Sequence, residues 1–193
     1  MVIMDDSNFM TTNRLEAFYD AIIAIIVTVL VLELPQPVSP AIESIWAIKN
    51  SYFAYLISFL ICTNLWQYHH VIYNHVDKID SRIIWQNIVL LLFVSLIPYL
   101  TVFVSQNPFS LPPVLYGLDF IIINIILFIM ANSLVSINES KYLKEVLDLK
   151  NAVLIPSILF IIGFVIAFLG YPVAISICCL FTIVRSIYYS LKN

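Results

Sequence analysis

The sequence predicts an all-α integral membrane protein: one transmembrane domain over residues 1–193, with six transmembrane helices and both termini in the cytoplasm. Three observations carry this expectation. Hydrophobic residues make up 62% of the chain, charged residues 11%, and mean hydropathy is +0.98. A soluble domain is about half apolar and a quarter charged, and a chain of 193 residues cannot enclose so much apolar surface in one soluble core. Six apolar runs approach the roughly 20 residues that cross a bilayer as a helix. Finally, lysine and arginine gather on one side of those runs.

The first run covers 17–34 and is stopped by Pro35, Pro37 and Pro40. Residues 1–13 carry Asp5 and Asp6 and no basic residue, and no small-residue cleavage site follows the run, so it is expected to be retained as a span. The second covers 51–73, and its end carries Trp66, Tyr68, His69, His70 and Tyr73, read as an interfacial belt of amphipathic rings. Asp77, Lys78, Asp80 and Arg82 make a polar turn before the third run, 83–104, which contains Pro98. The fourth, 113–137, starts at Pro112 and Pro113. A polar linker follows, in which Lys141 and Glu145 are spaced as an ion pair on a short solvated helix. The fifth and sixth runs, 152–169 and 172–189, are separated by Gly170 and Tyr171.

Arg14, Lys78, Arg82, Lys141, Lys144, Lys150, Arg185 and Lys192 share one side of this arrangement, and Lys49 has the other to itself. Eight against one places the first side in the cytoplasm. A net charge of -3 gives no basic footprint for nucleic acid. Cys62, Cys178 and Cys179 lie in apolar runs, without disulfide or zinc spacing, and are read as small buried hydrophobes.

At 100 degrees per residue, Phe18, Ala21, Ile22, Thr28, Val29 and Leu32 fall within about 60 degrees of Ile25, while Asp20 points about 140 degrees away. One face of the first helix is thus an apolar ladder carrying a single hydroxyl. Helix packing or lipid contact would account for such a stripe. A first-turn acid favoured by the helix dipole would account for Asp20, and a hydroxyl bonded back to the Ala24 carbonyl for Thr28.

The segment Arg14-x-x-x-Phe18-Tyr19-Asp20 resembles the Arg-x-x-x-Phe-Ser-Asp signature of the transmembrane protein 175 family, which comprises the endolysosomal potassium channel and its bacterial homologues. The resemblance continues through AIIAIIVTVLVLEL and through LWQYHHVIYNHVDKIDSRIIWQNIVLLLFVSLIPYLTVF, about half the chain in all. It implies a homotetramer of six-span subunits in a bacterial plasma membrane, with four first helices lining a potassium-permeable pore. It further implies that Ile25, Val29 and Leu32 form a stacked hydrophobic constriction, and that Thr28 forms a threonine layer tied to preference for potassium. Arg14, Phe18 and Asp20 would hold the cytoplasmic part of the helix in place. Tyr19 departs from the family's serine, and Ala21 stands where glycine is frequent. An apolar ring can gate by dewetting, and four threonines one turn away could supply oxygens to a cation that has shed water.

Lipid, monovalent cations and further copies of the chain are the expected partners. No cofactor is expected beyond potassium as the permeant ion. The usual potassium filter TVGYG is absent, since Gly117, Gly163 and Gly170 are the only glycines. No arginine-rich span suggests voltage sensing. His69, His70 and His75 do not converge on one helix face, so no metal site is expected. His69 or His70 is a candidate network partner for Asp20. Asp119, inside the fourth run, is either an ion-pathway carboxylate or a satisfied group bonded to Asn124 or a tyrosine. Glu33 is either part of an acidic ring at the outer mouth or an interfacial acid. No nucleophile–base pair points to an enzyme. A secondary transporter, which would show interrupted helices and an internal repeat, and a non-conducting membrane scaffold are the alternatives to a channel.

Overall fold

The computed structural model describes residues 11–138, 155–169 and 173–192, and every regular element among them is an α-helix. In chain order these are α1 (Thr12–Leu32), α2 (Ile42–Ala47), α3 (Lys49–Tyr73), α4 (Ser81–Val94), α5 (Ile97–Gln106), α6 (Pro112–Asn138), α7 (Ile155–Phe168) and α8 (Val173–Lys192). The linker helix expected around Lys141 and Glu145 lies outside the described residues.

α1 starts five residues before its apolar run, so Arg14 and Glu16 are helical. Its 21 residues rise about 31 Å, near the thickness of a hydrocarbon core. Three stretches among the described residues are long and apolar enough to cross a membrane: α1, α4 with α5 taken together (Ser81–Gln106), and α6. α3 is as long, but polar groups occupy its second half. It can carry them because it lies inside, packed on α1, α5 and α8. α6 is the second inner helix, against α4, α5, α7 and α8.

Asp80 caps α4 by accepting from the Ile83 N–H at 2.9 Å, and Pro112 opens α6, where its missing N–H costs nothing. The third run is not one unbroken helix. Pro98 has no N–H for the carbonyl four residues back, so α4 ends at Val94 and α5 resumes at Ile97. Ser95 and Leu96 stay in helical backbone space, so the break is a kink rather than an unwound ion-binding segment. The loop after α1 is likewise not plain, since it contains α2.

Two polar joints hold the inner helices. Thr101 gives its hydroxyl proton to the Ile97 carbonyl at 2.6 Å, so Ser58 must donate to Thr101 at 2.6 Å. Tyr116 is then left to donate to Ser58 at 2.8 Å. This buried chain ties α3 to α5 and α6. At the opposite end, Asn138 accepts from the N–H groups of Asp77 and Lys78 at 3.1 and 2.9 Å and donates to the Lys78 carbonyl at 3.0 Å. The end of α6 thereby grips the turn between α3 and α4.

Candidate functional site: the first helix and its anchor

α1 has two unlike faces. Leu15, Tyr19, Ile23, Ile26 and Leu30 are buried against the protomer. The apolar stripe picked out by periodicity lies on the other side. Phe18, Ala21, Thr28, Ile25 (60% exposed) and Leu32 (79% exposed) have no cover, while Ile22 and Val29 are half-buried. Ile25, Ile26 and Val29 also line an open groove of about 520 Å³ whose other wall includes Pro98 and Tyr99 of α5. Glu33 is exposed at the end of that groove.

Thr28 donates to the Ile25 carbonyl at 2.7 Å, one residue later than the Ala24 partner expected. With its proton committed, the hydroxyl oxygen presents only lone pairs to its surroundings.

The lower end of α1 is held by α3 through three rungs. Trp66 donates its indole N–H to Asp20 at 2.9 Å. Glu16 lies 2.8 Å from His70 Nδ1, and the Asn74 amide nitrogen lies 2.9 Å from His70 Nε2. An amide nitrogen can only donate, which places the neutral ring's proton on Nδ1, where Glu16 accepts it. The indole of Trp66 and the imidazole of His70 stack at 5.6 Å. Behind them, His69 is sandwiched between Tyr19, at 3.7 Å and nearly parallel, and Tyr73 at 4.1 Å.

The pairing expected between Asp20 and His69 or His70 is therefore corrected: Trp66 takes Asp20, Glu16 takes His70, and His69 meets α1 through the ring of Tyr19. The interfacial belt is corrected as well. His69 and Tyr73 are buried, because neighbouring helices cover that end of α3; Trp66 remains exposed at the edge. Tyr19 stands where the resemblance leads one to expect serine. Its ring, fully buried, fills the space in front of His69, and its hydroxyl has no hydrogen-bond partner among the described residues. His69 and the buried Asn87 of α4 are neighbours, yet neither side chain makes a well-aligned hydrogen bond. Arg14 is exposed and forms no ion pair among the described residues. Asp119 is buried with its Oδ1 unpartnered among the described residues, while the Asn124 amide donates to the Phe120 carbonyl at 2.7 Å.

Glu16 and Asn74 are not singled out by the sequence, and Trp66 is read there only as a ring of the interfacial belt. A signal for them exists. Glu16 and Asp20 are four apart on α1, Trp66 and His70 are four apart on α3, and the antiparallel packing pairs them in opposite order.

A family model described as Endosomal/lysosomal potassium channel TMEM175 matches residues 14–98, from Arg14 through the kink at Pro98. A protein of Chryseobacterium sp. (strain P1-3) named as a potassium channel is 34% identical over 165 residues, which cover 84% of this chain and 85% of that one. A potassium channel of Chamaesiphon minutus (strain ATCC 27169 / PCC 6605) is 33% identical over 101 residues, 49% of this chain and 50% of its own. Among solved structures, the crystal structure of a lysosomal potassium-selective channel TMEM175 homolog from Chamaesiphon minutus superposes with a TM-score of 0.75 at 26% identity. That superposition covers 94% of this chain and 97% of the other.

Proposed function

The chain belongs to the TMEM175 family, and on that premise we propose that it is a potassium-permeable ion channel whose pore is lined by α1. The observation that carries this reading is the two-faced first helix. Its inner face is packed and its foot is tied to α3, yet a stripe of Phe18, Ile25, Thr28 and Leu32 faces outward with nothing against it. Four copies around a common axis would bring these stripes together as one wall. Ile25, Val29 and Leu32 would then form the apolar constriction, and Thr28 an oxygen layer between them. Arg14, Phe18, Tyr19 and Asp20 belong to the anchored foot. There Asp20 and Tyr19 hold α1 to α3, which fixes the depth of the constriction.

The remaining architecture follows the same premise. Six spans, formed by α1, α3, α4 with α5, α6, α7 and α8, put both termini in the cytoplasm of a multi-pass plasma-membrane protein. The eight-to-one bias of basic residues supports this orientation.

Ion flux from liposomes in matched potassium and sodium gradients, for wild type and Thr28→Val, tests the proposal. Potassium flux above sodium, with the preference diminished in the variant, is the expected result. An unchanged permeability ratio in Thr28→Val removes Thr28 as the selective element. No flux for either ion, from protein shown to be folded and assembled, rejects the channel and leaves a membrane scaffold.

A further inference from the structure

α2 has no packing role that explains its composition. None of its side chains is buried, and among the described residues its only substantial neighbour is α3. At 100 degrees per residue, Ile42, Ile45 and Trp46 share one side of this short helix, with Ser44 opposite. That apolar side is bare: Ile42 is 80% exposed and Trp46 67%, and Val38 just before the helix is fully exposed. Lys49 completes the strip, with its ammonium 5.3 Å from the centre of the Trp46 ring.

The level of this strip is fixed by its neighbours. α1 ends at Leu32 and α3 begins at Lys49, and Leu30 and Leu34 line one small crevice with Ser51 and Tyr55. α2 therefore sits at the boundary where these two antiparallel helices leave the bilayer. Tryptophan and lysine favour that boundary, the ring for its apolar body and polar edge, the lysine for an aliphatic stem with a charged head. The loop is acidic on balance, with Glu33 and Glu43 exposed, so an anionic headgroup must be met by Lys49 itself. Lys49 is the one base between α1 and the body of α3, and no carboxylate among the described residues pairs with it. Its contact with the ring is to a π face, which leaves ammonium N–H groups for oxygen acceptors.

We infer that α2 is a lipid-binding collar: Ile42, Ile45 and Trp46 lie among the upper acyl carbons of the outer leaflet, and Lys49, braced on Trp46, holds the phosphate of an anionic phospholipid. The inference rests on reading α1 and α3 as membrane-crossing helices. It does not rest on ion conduction, so failure in the flux assay and failure here are separate results.

The test uses the full chain reconstituted in vesicles of phosphatidylcholine with phosphatidylglycerol. The difference in emission between wild type and Trp46→Phe isolates Trp46 from Trp66 and Trp85. Lipids brominated on the upper acyl carbons are expected to quench that difference strongly, and aqueous iodide weakly. Lys49→Gln is expected to lower the retention of phosphatidylglycerol over phosphatidylcholine in native mass spectra by about fivefold. Quenching by iodide alone places the strip in water and overturns the collar. Quenching by neither agent assigns the strip to a contact between copies and also overturns it. Equal retention of the two lipids by wild type and Lys49→Gln overturns the phosphate assignment.

Discussion

Ser58→Ala probes the joint that holds the inner helices together. In the native chain, Tyr116 donates to Ser58, Ser58 donates to Thr101, and Thr101 donates to its own helix. Alanine removes both bonds that cross between helices. Such bonds contribute about 0.6 kcal/mol on average in membrane proteins and up to about 1.7, so the variant should lose about 1–3 kcal/mol. Tyr116→Phe removes only the first bond and should lose about 0.6–1.7 kcal/mol. Once Ser58 is gone, the Tyr116 hydroxyl has nothing left to lose in this chain. The double variant should therefore be about as stable as Ser58→Ala alone, with a coupling equal to the shared bond. Reversible unfolding in mixed detergent–lipid micelles, followed by circular dichroism, measures all four corners of the cycle. A double variant whose loss equals the two single losses added together would refute the bond between Ser58 and Tyr116.

Tyr19→Phe should leave stability unchanged or raise it by about 1 kcal/mol. It keeps the ring stacked on His69 and removes a buried hydroxyl that has no partner. A loss above about 1 kcal/mol in the same assay would mean the hydroxyl is bonded. Gly117→Ala should cost about 1–3 kcal/mol, because a Cβ there runs into the buried side chain of Ile175, where α6 and α8 approach closely; full retention of stability would refute that close approach.

The parts of this molecule that depend on one helix at a time are legible in its residues. The apolar runs mark the long helices, and the period of α1 separates the stripe of Ile25, Thr28 and Leu32 from the face of Leu15, Ile23 and Leu30. The parts that depend on two helices are not. His69 and Tyr73 read as interfacial because they stand near the end of a run, but burial is decided by which helices lie beside them. Ser58, Thr101 and Tyr116 are 43 and 58 residues apart in pairs, and no local pattern links them. The kink at Ser95 was half legible, since Pro98 announces a missing N–H without saying how far upstream the helix gives way. α2 escaped because six residues after a proline-rich turn carry too short a period to stand out from a loop.

The grip of Asn138 has a mechanical consequence. A turn held at two N–H groups and one carbonyl cannot swing free without breaking three bonds at once. At about 0.5–1.5 kcal/mol each, release costs several times thermal energy, so α3, α4 and α6 are riveted into one block at that end. α1 is attached to this block along α3 by two directed side-chain bonds, Trp66 to Asp20 and His70 to Glu16, and by the ring of Tyr19 stacked on His69. The molecule thus has a stiff frame, and its first helix can shift along that frame only by breaking both bonds and unstacking Tyr19 from His69.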